Sequence, residues 1–183
     1  KCVLILSGYL GNTFARDFPL SATISVAFEQ SYGGIDGDSA SSTELYAILS
    51  NLSGVPIKQG IAVTGSVNQS GEVQAIGGVN EKVEGYFDLC RVSRALEPDV
   101  GVMIPATNQP NLMLRHEALD AVEAREFAIY QVRTIDEGIG ILTGVPAGAR
   151  KKDGTFAKGT VNRLVSDSLH EMALKAKQFG AKD

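Results

Sequence analysis

The chain has 183 residues, 44% of them hydrophobic and 21% charged, with a formal net charge of −4. That length suffices for one ordinary domain with a real core, while the acidic balance excludes a broad electrostatic pull toward nucleic acid or anionic membrane. No apolar run approaches the roughly 18 residues that span a bilayer, and the two cysteines, Cys2 and Cys90, form neither a disulfide framework nor a metal spacing, which predicts a reducing, cytoplasmic setting.

Taken in chain order, residues 3–6 read as a strand already under way at the first residue, so a fragment of a longer protein is expected. Residues 20–29 alternate Ala22, Ile24, Val26 and Phe28, which predicts a second strand. A loop rich in Gly and Asp occupies 30–38. A helix is predicted over 40–52, with Leu45, Ile48, Leu49 and Leu52 on one face and Ser41 and Glu44 at capping-box spacing. Residues 60–68 read as one strand, Ile61, Val63 and Val67 pointing one way and Ala62, Thr64 and Ser66 the other. Gln69-Ser70-Gly71 turns the chain into a short strand at 72–76. A helix over 80–95 carries Val83, Tyr86, Phe87 and Cys90 on its apolar side. A compact buried strand (100–104), a helix (110–124), a strand (126–132) and a short helix (134–143) follow. After a loop rich in Gly and Lys, 144–159, the last helix spans 160–178 with Val161, Leu164, Val165, Leu169 and Met172 at helical spacing. Strands interleaved with helices predict a single α+β domain over 1–183, of compact mixed sheets with packed helices.

The chemistry concentrates at Gly33-Gly34-Ile35-Asp36-Gly37-Asp38-Ser39-Ala40-Ser41-Ser42. Ser39 falls between a glycine-broken loop and a helix entrance, among free backbone N–H groups that can stabilise an oxyanion. Helix capping is the plain alternative for such a serine. Asp38 and Ser41 are equally good caps, however, and Gly37 removes steric cover just before the hydroxyl, as expected where another backbone approaches closely. Lys82 lies in Ile76-Gly77-Gly78-Val79-Asn80-Glu81-Lys82-Val83, at a second helix entrance. It comes three residues after Val79 and four before Tyr86, on the edge of the apolar stripe. A partly desolvated amine at a helix entrance has its charged form disfavoured, which suits a general base. Thr64 shares a predicted strand face with Ser66, where a hydroxyl can orient an amine. Asp36 beside Gly37 is by itself a turn residue.

Competing constellations are weak. His116-Glu117 and His170-Glu171 lack the second histidine of a zinc peptidase helix. The glycines and lysines of 148–154 are not followed by Gly-Lys-Ser/Thr, and no Ser-x-x-Lys occurs.

The segment from Phe28 to Ser41 resembles the nucleophile segment of the Lon protease proteolytic domain, in the B-type branch and the bacterial Lon-like homologues. Val63-Thr64-Gly65, then Gly71 to Lys82, are similar to that family's strand, hairpin and lysine segments, and Thr143 to Gly148 with Gly154-Thr155-Phe156 to its C-terminal part. The resemblance implies the Lon proteolytic-domain fold, Ser39 as nucleophile, Lys82 as general base, Thr64 as the hydroxyl that helps hold the lysine, and Asp36 as an acidic residue near the site. The chain carries Asp38 directly before Ser39, with Ser25 and Ala27 in the preceding strand, where the A-type branch has proline and histidines. The resemblance further implies a homohexamer, unfolded polypeptide substrates, and an ATP-driven unfoldase module in the same full-length chain. ATP and Mg belong to that module. No cofactor is expected in this domain, nor any nucleic-acid partner. The expectation is therefore a serine endopeptidase with a Ser39–Lys82 dyad and an oxyanion hole of backbone N–H groups around residues 37–39. The rival readings are a non-catalytic ring-assembly module and a hydrolase of small amides or esters.

Overall fold

The computed structural model describes residues 2–27 and 38–180. At its centre lies a three-stranded parallel sheet of order β1-β4-β5, formed by Ile61–Val63 (β1), Gly101–Pro105 (β4) and Ala128–Val132 (β5). Ile61 sits opposite Gly101, and Gly101 opposite Ala128. Parallel neighbours require crossovers. β1 leads through an antiparallel hairpin, Ser66–Val67 (β2) and Val73–Gln74 (β3), into the helix Val79–Val92 (α3). β4 leads through a 3₁₀ turn, Ala106–Asn111, into the helix His116–Glu123 (α4). The mixed α+β class expected from the sequence is what the chain adopts.

Side-chain alternation along the strands divides the interior in two. Ile61, Val63, Met103 and Val132 face a large core shared with the helices Cys2–Phe14 (α1), Ser41–Ser53 (α2), Ile135–Thr143 (α5) and Val161–Gly180 (α6). Ala62, Val102, Ile104 and Ile129 face a smaller core with Val83, Phe87 and the buried free thiol of Cys90 from α3, and Ala118 and Ala121 from α4. In α2, Leu45, Ile48, Leu49 and Leu52 are buried as their spacing predicts. In α6, Val161, Val165 and Leu169 are buried, whereas Leu164 and Met172 lie at its exposed margin.

Several expectations are corrected. Residues 3–6 are not a strand but part of α1. The helix is dictated by Leu6, Tyr9, Leu10 and Phe14, one buried face at helical spacing, with Phe14 packed on Phe156 at 5.7 Å between ring centroids. Residues 20–27 form no strand either, and Ile24 and Val26 are exposed; residues 28 and 29 lie outside the described residues. The strand predicted over 60–68 breaks at Thr64-Gly65, so β1 and β2 belong to different sheets. Gly65 permits the switch, since a Cβ there would stand 2.9 Å from Val73 Cγ1 and 3.1 Å from Ser42 Oγ. The capping box at Ser41 does not form: Ala40 is the cap residue, and Ser41 is already helical. The helix predicted over 110–124 divides into the 3₁₀ turn, which contains Pro110, and α4, which starts only at His116.

Candidate active site

The site lies at the C-terminal end of β1, the position where open parallel sheets commonly hold ligands. Thr64 follows β1 directly and prolongs its ladder, its N–H donating to Met103 O at 3.0 Å. The entrance of α2 is fastened to this strand end by main-chain bonds. Gly65 N–H donates to Ser39 O at 2.8 Å, and Ser42 N–H to Gly65 O at 3.1 Å. The Thr43 hydroxyl adds a bond to Val63 O at 3.1 Å. Ser41, almost fully buried, makes a bridge: its Oγ donates to Asp38 O at 2.8 Å and accepts from Val67 N–H at 3.0 Å. The turn 38–41, closed by Ser41 N–H to Asp38 O at 3.0 Å, is thereby tied to the hairpin.

Lys82 arrives from the other side of the sheet, on the first turn of α3, with its N–H donating to Gly78 O at 3.1 Å. Its Nζ stands 3.1 Å from Ser39 Oγ and 3.3 Å from Thr64 Oγ1. Thr64, buried, turns its own hydroxyl toward Ser39 O at 3.4 Å, so a lone pair of Oγ1 remains to face the amine. Ser39, Ala40, Ala62, Val63, Thr64, Lys82 and Val102 line one pocket of about 310 Å³, apolar apart from the three polar side chains. The desolvation expected for Lys82 is not present in the isolated chain, because the residue is exposed. Tyr86, one turn further along α3, donates its hydroxyl to Gly60 O at 3.1 Å, and burial above all raises its pKa, so it stays a neutral donor.

Three of the sequence-predicted residues, Ser39, Lys82 and Thr64, are brought together. Asp38 contributes its carbonyl to the turn before the helix. Asp36 and Gly37 lie outside the described residues, and with them part of the expected oxyanion hole. His170 is occupied elsewhere, stacked on Phe18 at 5.0 Å. No group of three or more His, Cys, Asp or Glu able to hold a metal occurs among the described residues, and no described helix is long and apolar enough to cross a membrane. Two residues hold the site's backbone in ways that their sequence context does not announce, the first having the look of a helix cap. One is Ser41. The other is Asn108 of the 3₁₀ turn, whose amide pairs with both main-chain groups of Ile76, just before α3.

This architecture is that of a proteolytic domain, as comparison with known proteins shows. Residues 21–139 match the family described as Lon protease (S16) C-terminal proteolytic domain, and the chain belongs to that family. It is 41% identical over 142 residues to a putative Lon protease homolog of Escherichia coli (strain K12), covering 78% of this chain and 24% of that protein. A putative Lon protease homolog of Haemophilus influenzae is 39% identical over 173 residues, 94% of this chain and 29% of that protein. An archaeal Lon protease of Methanocaldococcus jannaschii is 40% identical over 116 residues, 62% of this chain and 15% of that protein. The chain thus spans about a quarter of the length of the two bacterial relatives.

Proposed function

We propose that this domain is a serine endopeptidase in which Ser39 is the nucleophile and Lys82 the general base, acting on peptide bonds of unfolded polypeptides. The observation that supports it is the 3.1 Å separation of Lys82 Nζ and Ser39 Oγ, with Thr64 Oγ1 at 3.3 Å on the amine's other side. Protonated, the lysine donates to both hydroxyls. Neutral, it keeps an N–H on Thr64 and turns its lone pair to the serine O–H. As Oγ bonds to the substrate carbonyl carbon, its proton passes to Nζ, and the carbonyl oxygen becomes an oxyanion stabilised by backbone N–H groups near Ser39. Collapse breaks the C–N bond, Nζ returns the proton to the leaving amine, and an acyl-enzyme remains. Water, deprotonated by the same amine, then releases the acid. These steps require only the peptide, water and the chain's own groups.

The wider setting we propose is a homohexamer in the cytoplasm, with an ATP-driven unfoldase module in the same protein feeding unfolded chains to this domain. ATP and Mg serve that module. A fluorophosphonate probe and a fluorescently labelled unfolded protein test the core of the reading. The intact protein is expected to label at Ser39 and to cut the substrate into peptides, whereas Ser39→Ala does neither and keeps its fold. Wild-type turnover in Ser39→Ala would refute the assignment. A labelled but non-cutting protein would favour a hydrolase of small amides or esters, and an unlabelled inert one a ring-assembly module.

A further inference from the structure

The lysine reaches the serine from a helix that enters directly after a pair of glycines. Between β3 and α3 the chain runs Ala75-Ile76-Gly77-Gly78, and two successive glycines are the least constrained backbone a helix entrance can have. Gly78, the cap residue, is in the left-handed region at φ 66°, and no side-chain bond caps the helix. The last fixed point before α3 is therefore Ile76. Its side chain packs against the smaller core, and its main chain is held by one side chain: Ile76 N–H donates to Asn108 Oδ1 at 2.9 Å, and Asn108 Nδ2 donates to Ile76 O at 2.9 Å. This two-pronged pairing sets the amide's orientation uniquely, since only Nδ2 can donate and only Oδ1 can accept. Asn108 is 3% exposed, so both bonds are shielded from water.

Asn108 is itself rooted on the strand that carries the rest of the site. It lies in the 3₁₀ turn that continues β4, and β4 pairs with β1 and receives the Thr64 N–H at Met103 O. The path from Thr64 through β4 to Asn108, Ile76 and the first turn of α3 contains one non-covalent side-chain link. Downstream links repeat the theme at the surface. Asn80 donates to Asn111 O at 3.2 Å and accepts from Met113 N–H at 2.8 Å, and Glu84 accepts from Arg115 N–H at 2.8 Å. These, with the buried Val79 and Val83, hold α3 itself, while Asn108 holds the main chain from which the helix starts.

We propose that Asn108 is a positioning residue for Lys82, holding the α3 entrance at the height that keeps Nζ within reach of Ser39 and Thr64. The inference rests on the Ser39–Lys82 reading given above. Loss of the clamp leaves the glycine pair free to let the first turn of α3 shift, and a displacement near an ångström costs on the order of 10²-fold in rate. The effect falls on the chemical step, because Asn108 does not line the pocket.

The test is steady-state peptide cleavage by the intact protein carrying Asn108→Asp or Asn108→Ser, with thermal unfolding and amide exchange measured on the same samples. The aspartate keeps the size and the bond from Ile76 N–H but places a carboxylate oxygen against Ile76 O; the serine retains one short hydroxyl. The expected result is a kcat lowered on the order of 10²-fold with KM little changed. Amide exchange should quicken over 75–82 but not in β4, and the unfolding midpoint should remain above the assay temperature. An unchanged kcat overturns the inference, as does a loss of kcat matched by the unfolded fraction and recovered on cooling. Lys82→Ala, run alongside, separates the two levels. Wild-type cleavage in that variant refutes the dyad itself, whereas an inactive Lys82→Ala beside a fully active Asn108→Asp refutes the positioning role alone.

Discussion

The two sides of the central sheet deliver their halves of the site by different means. On the α2 side the serine is held by main-chain bonds, Gly65 to Ser39 and Ser42 to Gly65, which no substitution other than proline removes. On the α3 side the lysine's helix is held by side chains, Asn108 before the glycine pair and Asn80 after it. The difference teaches where function can be lost without losing the fold. The serine half is as robust as the sheet that carries it, and the lysine half can be loosened by one amide.

The largest effect that breaks this symmetry comes from the amine. Lys82→Arg is expected to be as damaging as Lys82→Ala, each lowering peptide cleavage on the order of 10²- to 10⁴-fold, because a guanidinium donates but takes no proton at working pH. Substantial activity in the arginine variant would make the lysine an electrostatic group. Next comes the contact both halves share. Thr64→Val keeps the shape of the side chain but removes the oxygen 3.3 Å from Nζ. A roughly tenfold fall in kcat is expected, corresponding to the net value of one hydrogen bond. An unchanged kcat would remove Thr64 from the proton path.

On the serine side the sharper measurement is stability. Ser41→Ala strands the buried Val67 N–H and should cost about 1–3 kcal/mol in denaturant titration. A neutral result would mean that the main-chain bonds alone hold the turn. The smallest effect lies deeper in the same layer. The Tyr46 hydroxyl is buried with no hydrogen-bond partner among the described residues, and burial, then the neighbouring Tyr9, pushes its pKa well above the ordinary value. Above about pH 10 the unfolded tyrosine ionises while the folded one stays neutral, so the unfolded state binds fewer protons and stability falls as pH rises. Tyr46→Phe should be near neutral in stability at pH 7 and should flatten part of that alkaline decline, as denaturant titrations at several pH values will show.

What could be read from the sequence, and what could not, follows the range of each interaction. α3 and α6 announce themselves because a buried face repeats at helical spacing, and β4 because its short apolar run is buried on both faces. Ser39, Lys82 and Thr64 stand in segments of distinctive composition. The start of the chain is ambiguous in sequence because Cys2-Val3-Leu4-Ile5-Leu6 is too short an apolar run to separate strand from helix. The deciding residues, Tyr9, Leu10 and Phe14, come later. The break after Val63 has no local signature because it depends on the closeness of Val73 and Ser42 to the space a Cβ at position 65 would fill, which no local pattern encodes. Asn108 was invisible for the same reason. In Ala106-Thr107-Asn108-Gln109 it looks like any loop asparagine, and only the fold reveals that its partner is 32 positions away.

Cys90 offers a clock for the layer that carries the amine. Its thiol is buried in the α3–α4 core, and burial raises its pKa, so in the closed domain it is both covered and poorly nucleophilic. An alkylating pulse, with the modified site located by peptide mapping, can therefore mark Cys90 only when α3 lifts away. The time course of that mark separates breathing of the lysine's helix from global unfolding, without adding any foreign group to the protein.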